Sequence, residues 1–445
     1  MNKYKESKYN VSFEEDNKVI FVNYLTRAIA TVDKEKAEMI KEILREPNRE
    51  WKEEYKKLKD DLIYGGYLVN KYFDELQHLK MLNYISRYDT SSPVFTILST
   101  LQCNFDCVYC YESKEGPSMT QETAQEISDY LCEIAKKKRK ISIGWFGGEP
   151  LVNFDVIKLI NRNVIETCDK YHTDFVSSIS TNGYLLDEDK AKYFDELNIK
   201  NVQITFDGPP QYHNKYRPLK GGEGTFETIY NNTKRLLEMT KETHISLRVN
   251  VGVENYDKIP ELLEMFDDFP KERIRIYFRW IFQASEDNRE FYAKLHEFKG
   301  LNSFKKISKF YIEAAKKGFK IFFPILTQNR YCEYDSISST VIGPKGEIYP
   351  CTVAIAKGAV FGKVTKNGIE YEKEKYLYWH KPDAFEDEEC KNCKILPICM
   401  GGCRNARLQG SKGCPEEKRD VEHFAKVWYF TKTLENKCKI CEVEK

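Results

Sequence analysis

Apolar and polar positions follow two different periods over the first ninety residues. Residues 9–13 and 19–31 alternate β-branched and aromatic side chains with polar ones, which predicts two strands. Residues 34–44 place Ala37, Ile40, Ile43 and Leu44 on one face of a helix. A second helix over 53–63 ends at Gly65-Gly66, and residues 67–69 form a short strand. This order predicts a small winged-helix-like module over 1–90. A β/α cap packed on the next domain is the other reading of the same pattern. From residue 95 onward, apolar strands alternate with amphipathic helices. The strands are 95–100, 141–146, 174–180, 202–206, 245–251 and 274–280. The clearest helix is 119–137, with Ser118 and Gln121 in capping-box positions. Repeated β-then-α order implies a parallel sheet, and six units fall short of the eight of a full barrel. The expected fold class is therefore α/β, with a partial (β/α)6 TIM-like barrel over 91–325. Residues 291–318 read as helix. Beyond 326 long periodic segments are few, Gly/Pro turns are frequent, and the apolar residues look too sparse for a separate core.

Composition narrows the function. Lys plus Arg (70) nearly balances Asp plus Glu (69), so no basic excess marks a nucleic-acid or anionic-membrane partner. Residues 1–10 are polar and lack the apolar stretch of a secretory signal. Residues 19–32 contain Asn23, Arg27 and Thr31 and are too short to span a bilayer. A soluble cytoplasmic protein is expected. In a reducing cytoplasm its fourteen cysteines are better explained by metal ligation than by disulfides.

Cys103, Cys107 and Cys110 stand as C-x3-C-x2-C just after the first barrel strand. Thiolates are the usual ligands of iron–sulfur clusters, and three of them leave one iron of a 4Fe–4S cubane open to a small molecule. Loops after barrel strands form the active face. A zinc site would call for a fourth ligand nearby. The run Cys103-Asn104-Phe105-Asp106-Cys107-Val108-Tyr109-Cys110 resembles the signature of the radical S-adenosylmethionine (SAM) superfamily, including Tyr109 before the third cysteine. The resemblance implies that these cysteines are catalytic cluster ligands and that SAM chelates the open iron. An electron from the cluster would then release a 5′-deoxyadenosyl radical that takes a substrate hydrogen. Gly147-Gly148-Glu149-Pro150 follows the second strand and is similar to the family motif in which the glycines admit SAM and the glutamate accepts from its amino group. Ser180 and Asn182 after the third strand, and Thr205 at the end of the fourth, match polar cofactor contacts. Asp207 nearby is equally a turn residue. Arg217 is placed to pair with the SAM carboxylate, and Arg248 and Asn250 are further candidates on the fifth strand.

The tail carries Cys332, Cys351 in a G-x4-C, Cys390-x2-Cys393-x5-Cys399-x3-Cys403, and Cys414. This pattern is similar to the SPASM extension of radical SAM enzymes, which holds two auxiliary 4Fe–4S clusters, giving three clusters in all. The resemblance assigns Cys390, Cys393, Cys399 and Cys414 to one and Cys332, Cys351 and Cys403 to the other. Cys438 and Cys441 either complete the second set or belong to a loose tail. Cys132 and Cys168 read as small core residues.

Enzymes of this type commonly modify peptides. The expected activity is a ribosomal-peptide (RiPP) maturase that forms a cysteine thioether to an unactivated carbon. Its N-terminal module would bind a precursor's leader by strand addition. A ferredoxin or flavodoxin is the expected reductant. Two alternatives are an anaerobic sulfatase-maturing, formylglycine-forming enzyme and a non-catalytic electron carrier. The first expects an aspartate after the cysteine of the G-x4-C, where this chain has Thr352; the second has no use for GGEP and STNG segments.

Overall fold

The computed structural model describes residues 3–112, 114–281, 289–300, 302–322, 329–355, 358–365 and 368–443, without the side chains of 289–291, 419 and 434–443. The chain opens with β1 (Tyr4–Glu6), β2 (Asn10–Glu15), β3 (Lys18–Asn23) and β4 (Ile29–Asp33). The stretch 19–31, expected as one strand, is two. Asn23 is fully buried, and its Oδ1 accepts from the Leu25 and Thr26 N–H groups at 2.9 and 2.8 Å. That side-chain turn, completed by Arg27 at φ +66°, reverses the chain. Strands β2, β3 and β4 form an antiparallel sheet, while β1 pairs with β5 (Leu68–Asn70).

Helix α1 (Lys34–Arg45) starts where Asp33 accepts from the Lys36 N–H at 2.7 Å, and it buries the four apolar residues its periodicity indicated. Helix α2 is Glu53–Tyr64. A third helix, α3 (Glu75–Tyr88), was not legible in the sequence. This unit has its own apolar cluster around Phe21, Ile40, Ile43 and Leu68. It also docks on the far end of the chain. The Tyr24 hydroxyl donates to Val421 O at 2.6 Å, Lys426 pairs with Glu15, and Phe13 meets Tyr429 edge-on. Tyr9, Phe13, Ile20, Val22 and Tyr24 belong to the same apolar cluster as the barrel strands.

All six expected barrel strands are present. They are β6 (Val94–Thr100), β7 (Lys140–Gly147), β8 (Asp174–Thr181), β9 (Ile199–Thr205), β10 (His244–Val251) and β11 (Ile274–Trp280). They lie side by side in sequence order and all parallel. The short β12 (Lys320–Ile321) extends the sheet beyond β11. At the other edge β13 (Ser339–Ile342) runs parallel to β6, followed by antiparallel β14 (Glu347–Tyr349), β15 (Gly362–Thr365) and β16 (Gly368–Tyr371). One sheet of eleven strands therefore crosses the boundary expected near residue 326.

Alternate strand residues, such as Ile143, Trp145, Ile204 and Leu247, are buried outward under helices that include α4 (Gln121–Ala135) and α5 (Phe154–Tyr171). The intervening residues face a polar lumen, which explains why these strands alternate rather than run continuously apolar. Helix α4 is capped by Thr120, which accepts from the Thr123 N–H at 3.1 Å, not by the expected box. Ser118 instead bridges to Thr100, hydroxyl to hydroxyl at 2.7 Å. The helix expected over 291–318 breaks at Gly300 (φ +54°) into Arg289–Lys299 and Ser303–Lys316.

The cysteine-rich region also departs from expectation. Trp379, Phe385, Leu396 and Ile398 are buried in the same apolar cluster as the barrel, and a 23-residue helix, Val421–Val443, closes the chain. No helix among the described residues is long and apolar enough to cross a membrane.

Candidate active site

The loop after β6 carries Cys103, Cys107 and Cys110. It is pinned by backbone bonds from Asp106 N to Pro218 O (2.9 Å) and from Val108 N to Tyr216 O (3.1 Å). Phe105, 1% exposed, anchors it. The Phe105 N–H donates to Cys103 Sγ at 3.4 Å, and Asn182 Nδ2 approaches the same sulfur at 3.9 Å. Burial pushes the Cys103 thiol up to about 12 and the Cys107 thiol up to about 11; Arg217 pulls the latter back down. Cys103 also feels Cys107 and Cys110, and Cys107 feels Cys110. Among the described residues, no three His, Cys, Asp or Glu side chains converge on a point as a single ion requires. Three half-buried sulfurs on one loop beside a guanidinium are a donor set that suits a cationic iron–sulfur core. Cys132 and Cys168 lie elsewhere, in the α4 and α5 pair, with Cys132 Sγ at 3.5 Å from Asn163 O.

The GGEP segment packs directly under this loop. A Cβ on Gly147 (φ +123°) would stand 2.1 Å from Thr100 O, and one on Gly148 2.3 Å from Gln102 O. Both glycines are therefore required by the chain itself, whatever they also admit. The Gly148 and Glu149 N–H groups donate to Thr100 O and Gln102 O at 3.1 and 2.8 Å. Glu149 is fully buried. Its Oε1 accepts from the Leu151 N–H (2.9 Å) and the Thr181 hydroxyl (2.7 Å), and its Oε2 from the Asn182 N–H (2.7 Å). The carboxylate thus ties the end of β7, through Pro150, to the end of β8. Burial raises its pKa and those three donors oppose the shift. Asn182 in turn donates to Asn104 Oδ1 at 2.8 Å, holding the cysteine loop.

On the other side of the loop Tyr109 is the centre of a hub. Its hydroxyl donates to Asp207 Oδ2 and accepts from Arg217 Nη1 (2.9 Å) and Asn250 Nδ2 (3.0 Å). Asp207, fully buried, also accepts from the Asn250 N–H at 2.9 Å, and its own N–H donates to His213 Nδ1 at 3.2 Å. Burial keeps His213 neutral. Arg217 lies over Phe105 at 5.6 Å, and its buried Nε has no partner among the described residues. Ser180 and Thr205 sit on lumen-facing positions of β8 and β9. Asp207 as hub and Asn250 as its second arm were not legible as such, because the partners lie about a hundred residues or more apart in sequence.

Among the tail cysteines, electrostatic influence runs within two groups. Cys332 feels Cys403 and Cys351; Cys399 feels Cys414, Cys390 and Cys393. Cations attend the second set. Arg407 Nη2 donates to Cys390 Sγ at 2.9 Å and Lys418 Nζ to Cys414 Sγ at 3.5 Å. Beside the first set, Asp335 pairs with Arg404 (3.2 Å) and accepts from the Cys332 N–H at 3.4 Å. These cations and Asp335 were missed, since nothing in the spacing marks them. The side chains of Cys438 and Cys441 lie outside the described residues.

Comparison with known proteins converges on this geometry. The radical SAM superfamily matches residues 97–266. A cysteine-type anaerobic sulfatase-maturating enzyme of Clostridium novyi is 26% identical over 389 residues, covering 75% of this chain and 95% of its own. The radical SAM cyclopropyl synthase TigE of Paramaledivibacter caminithermalis is 24% identical, covering 72% of this chain and 70% of its own. Among solved structures, native anSMEcpe with bound AdoMet and Kp18Cys peptide superposes with a TM-score of 0.59 at 19% identity, over 77% of this chain and all of that one. Streptococcus suis SuiB bound to precursor peptide SuiA gives 0.53 at 14% identity, over 94% of this chain and 99% of that one. These structures share the fold.

Proposed function

We propose, on the premise that this chain is a radical SAM enzyme, that it matures a ribosomally made precursor peptide. Its product would carry a crosslink, a cysteine thioether to an unactivated carbon. The observation that carries the peptide reading is the unpaired edge of β4. Asn23 N donates to Ala28 O at 3.0 Å, and Phe21 faces Ala30, so the bonded pairs are 23/28 and 21/30. The N–H and C=O groups of Ile29 and Thr31 therefore point outward, away from β3, and among the described residues no further strand pairs with β4. Such an edge suits a leader peptide added as a strand. The names of similar proteins support a peptide substrate: one matures sulfatases, and SuiB was seen with its precursor peptide.

In this reading Cys103, Cys107 and Cys110 hold the catalytic 4Fe–4S cluster. Bound together, cluster and SAM supply a 5′-deoxyadenosyl radical for hydrogen abstraction. Tyr109, Gly147, Gly148, Glu149, Pro150, Ser180, Asn182, Thr205 and Arg217 shape or line the SAM site, Arg217 through its spare donors. Cys390, Cys393, Cys399 and Cys414 hold one auxiliary cluster, and Cys332, Cys351 and Cys403 the other. Residues 1–90 recognise the leader, 91–325 form the barrel and 326–445 the cluster-binding extension. A ferredoxin or flavodoxin supplies electrons.

A second reading, oxidation of a cysteine to formylglycine, is favoured by the similarity to the sulfatase-maturating enzyme. Against it stands Thr352, which occupies the position of the expected aspartate and bonds to Tyr334; the Tyr334 hydroxyl is also 3.3 Å from Thr96 Oγ1.

The test is anaerobic incubation of a short cysteine-containing peptide encoded beside this gene with reconstituted enzyme, SAM and dithionite. Loss of two hydrogens with the cysteine closed to alkylation is expected. An unchanged mass despite SAM cleavage would count against this reading, and a sulfatase-type peptide would be tried next. Thr31→Pro, which removes an outward N–H, is expected to weaken binding of a labelled leader on the order of tenfold. Unchanged anisotropy titrations would place the leader elsewhere.

A further inference from the structure

The lumen beneath the hub is lined by small polar groups. A Cβ on Gly144 would lie 3.4 Å from Ser178 Oγ and 3.9 Å from Thr96 Oγ1, which sets these three strands' inner faces around one space. Strands β10 and β11 bring arginines to the same face. Arg279, the uppermost on β11, is neutralised, with its Nη1 at 3.1 Å from Glu417 Oε1. Arg217, above, is engaged by Tyr109 and feels Asp207.

Arg248 differs. In register it stands beside Thr205 on β9 and Tyr277 on β11, two residues below Asn250. Its Nε donates to Asn250 Oδ1 at 2.8 Å, and its guanidinium lies 5.9 Å from the centre of the Tyr277 ring. The Tyr277 hydroxyl is itself held by Gln203. Among the described residues no carboxylate forms an ion pair with Arg248. Its orientation is thus fixed from the Nε side and from the ring face, while no hydrogen bond engages either terminal nitrogen among the described residues. Asp207 feels the Arg248 charge without a direct ion pair, so the half-buried guanidinium carries a desolvation cost that a ligand carboxylate would offset. The free terminal fork matches a carboxylate with two parallel hydrogen bonds.

We propose that Arg248 holds a side-chain carboxylate of the peptide substrate, from an Asp or Glu, close to the carbon that is modified. This rests on the peptide-maturase reading. The other source of the same chemistry is the carboxylate of SAM. Arg217, at the level of the cysteine loop, is better placed for that one; Arg248 lies a layer deeper, where a substrate side chain would enter.

The test uses a pool of synthetic peptides with a single cysteine, identical except for Asp, Glu, Asn or Gln at one later position. Immobilised, cluster-loaded enzyme with SAM is allowed to bind the pool, and retained members are counted by mass. Wild type is expected to enrich the acidic members about tenfold over the amides. R248Q should lose that preference, and R248K, which keeps the charge but not the fork, should keep part of it. Wild-type iron content and melting midpoint in either variant establish that it is folded. The dissociation constant of SAM is measured on the same proteins. No acidic preference in wild type, or an equal preference in both variants, overturns the proposal. So does a loss of SAM affinity with the peptide preference intact, which would make the carboxylate that of SAM. Enrichment of acidic peptides whose masses never change would leave the Arg248 site standing and remove the maturase reading instead.

Discussion

Cys107→Ala is expected to reduce the reductive cleavage of SAM to background while leaving most of the bound iron in place. The loop offers three thiols, and Arg217 pulls the Cys107 thiol down. Two thiolates cannot retain a cubane that already has one iron open to SAM. The remaining cysteine sets lie in a different part of the chain, organised by Asp335, Arg404, Arg407 and Lys418. If the wild type carries the three clusters proposed above, the variant should keep about two-thirds of the iron. Anaerobic reconstitution, iron and sulfide analysis, and assay of 5′-deoxyadenosine read the two quantities separately. The fold should survive, because the loop is held by the backbone bonds of Asp106 and Val108 and by Phe105, none of which involves the Cys107 sulfur. Cleavage at the wild-type rate would show that the cluster is not held by this loop. Complete loss of iron would show that the tail cysteines do not form sites of their own.

The features legible in the sequence were those written in short-range pattern. The six barrel strands were found because β-branched and aromatic residues recur at the ends of helical segments. Helix α1 was found from the spacing of Ala37, Ile40, Ile43 and Leu44. The cysteine motifs themselves were legible because their spacing is a local property of the chain. What escaped depends on partners brought together by folding. The hub of Tyr109 with Asp207, Arg217 and Asn250 joins three separate segments, and Asp207 alone reads as a turn residue. The pairing of β13 with β6 spans more than two hundred residues and joins strands from either side of residue 326 in one sheet. The tail seemed to lack a core because its apolar residues sit in clusters such as Ile395, Leu396 and Ile398 between cysteines, without a helical period. They are buried against the barrel rather than against one another alone. Asn23 split an apparently continuous strand because a buried Asn side chain can replace strand partners with its own turn.

The same distinction governs Glu149. Its motif implied a contact to the SAM amino group, yet its oxygens accept three hydrogen bonds from within the chain. Glu149→Ala is expected to destabilise the barrel by about 3–6 kcal/mol, because two backbone N–H groups and a hydroxyl lose their acceptor in a dry site and a cavity remains. The damage should spread along the bonds from Asn182 to Asn104, so that the cysteine loop loses order and the first cluster loads poorly. Glu149→Gln keeps the volume but turns an amide donor toward N–H groups or the Thr181 hydroxyl, and about 1–3 kcal/mol should be lost. Thermal midpoints and iron content of the anaerobic proteins measure the structural effect, and SAM titration measures the other. If Glu149→Gln keeps wild-type stability and iron yet binds SAM many-fold more weakly, the carboxylate acts mainly on the cofactor. If stability and iron fall with SAM affinity, Glu149 acts by joining the ends of β7 and β8. The second result is expected, since a carboxylate with no exposed surface and three internal donors is already committed to the fold.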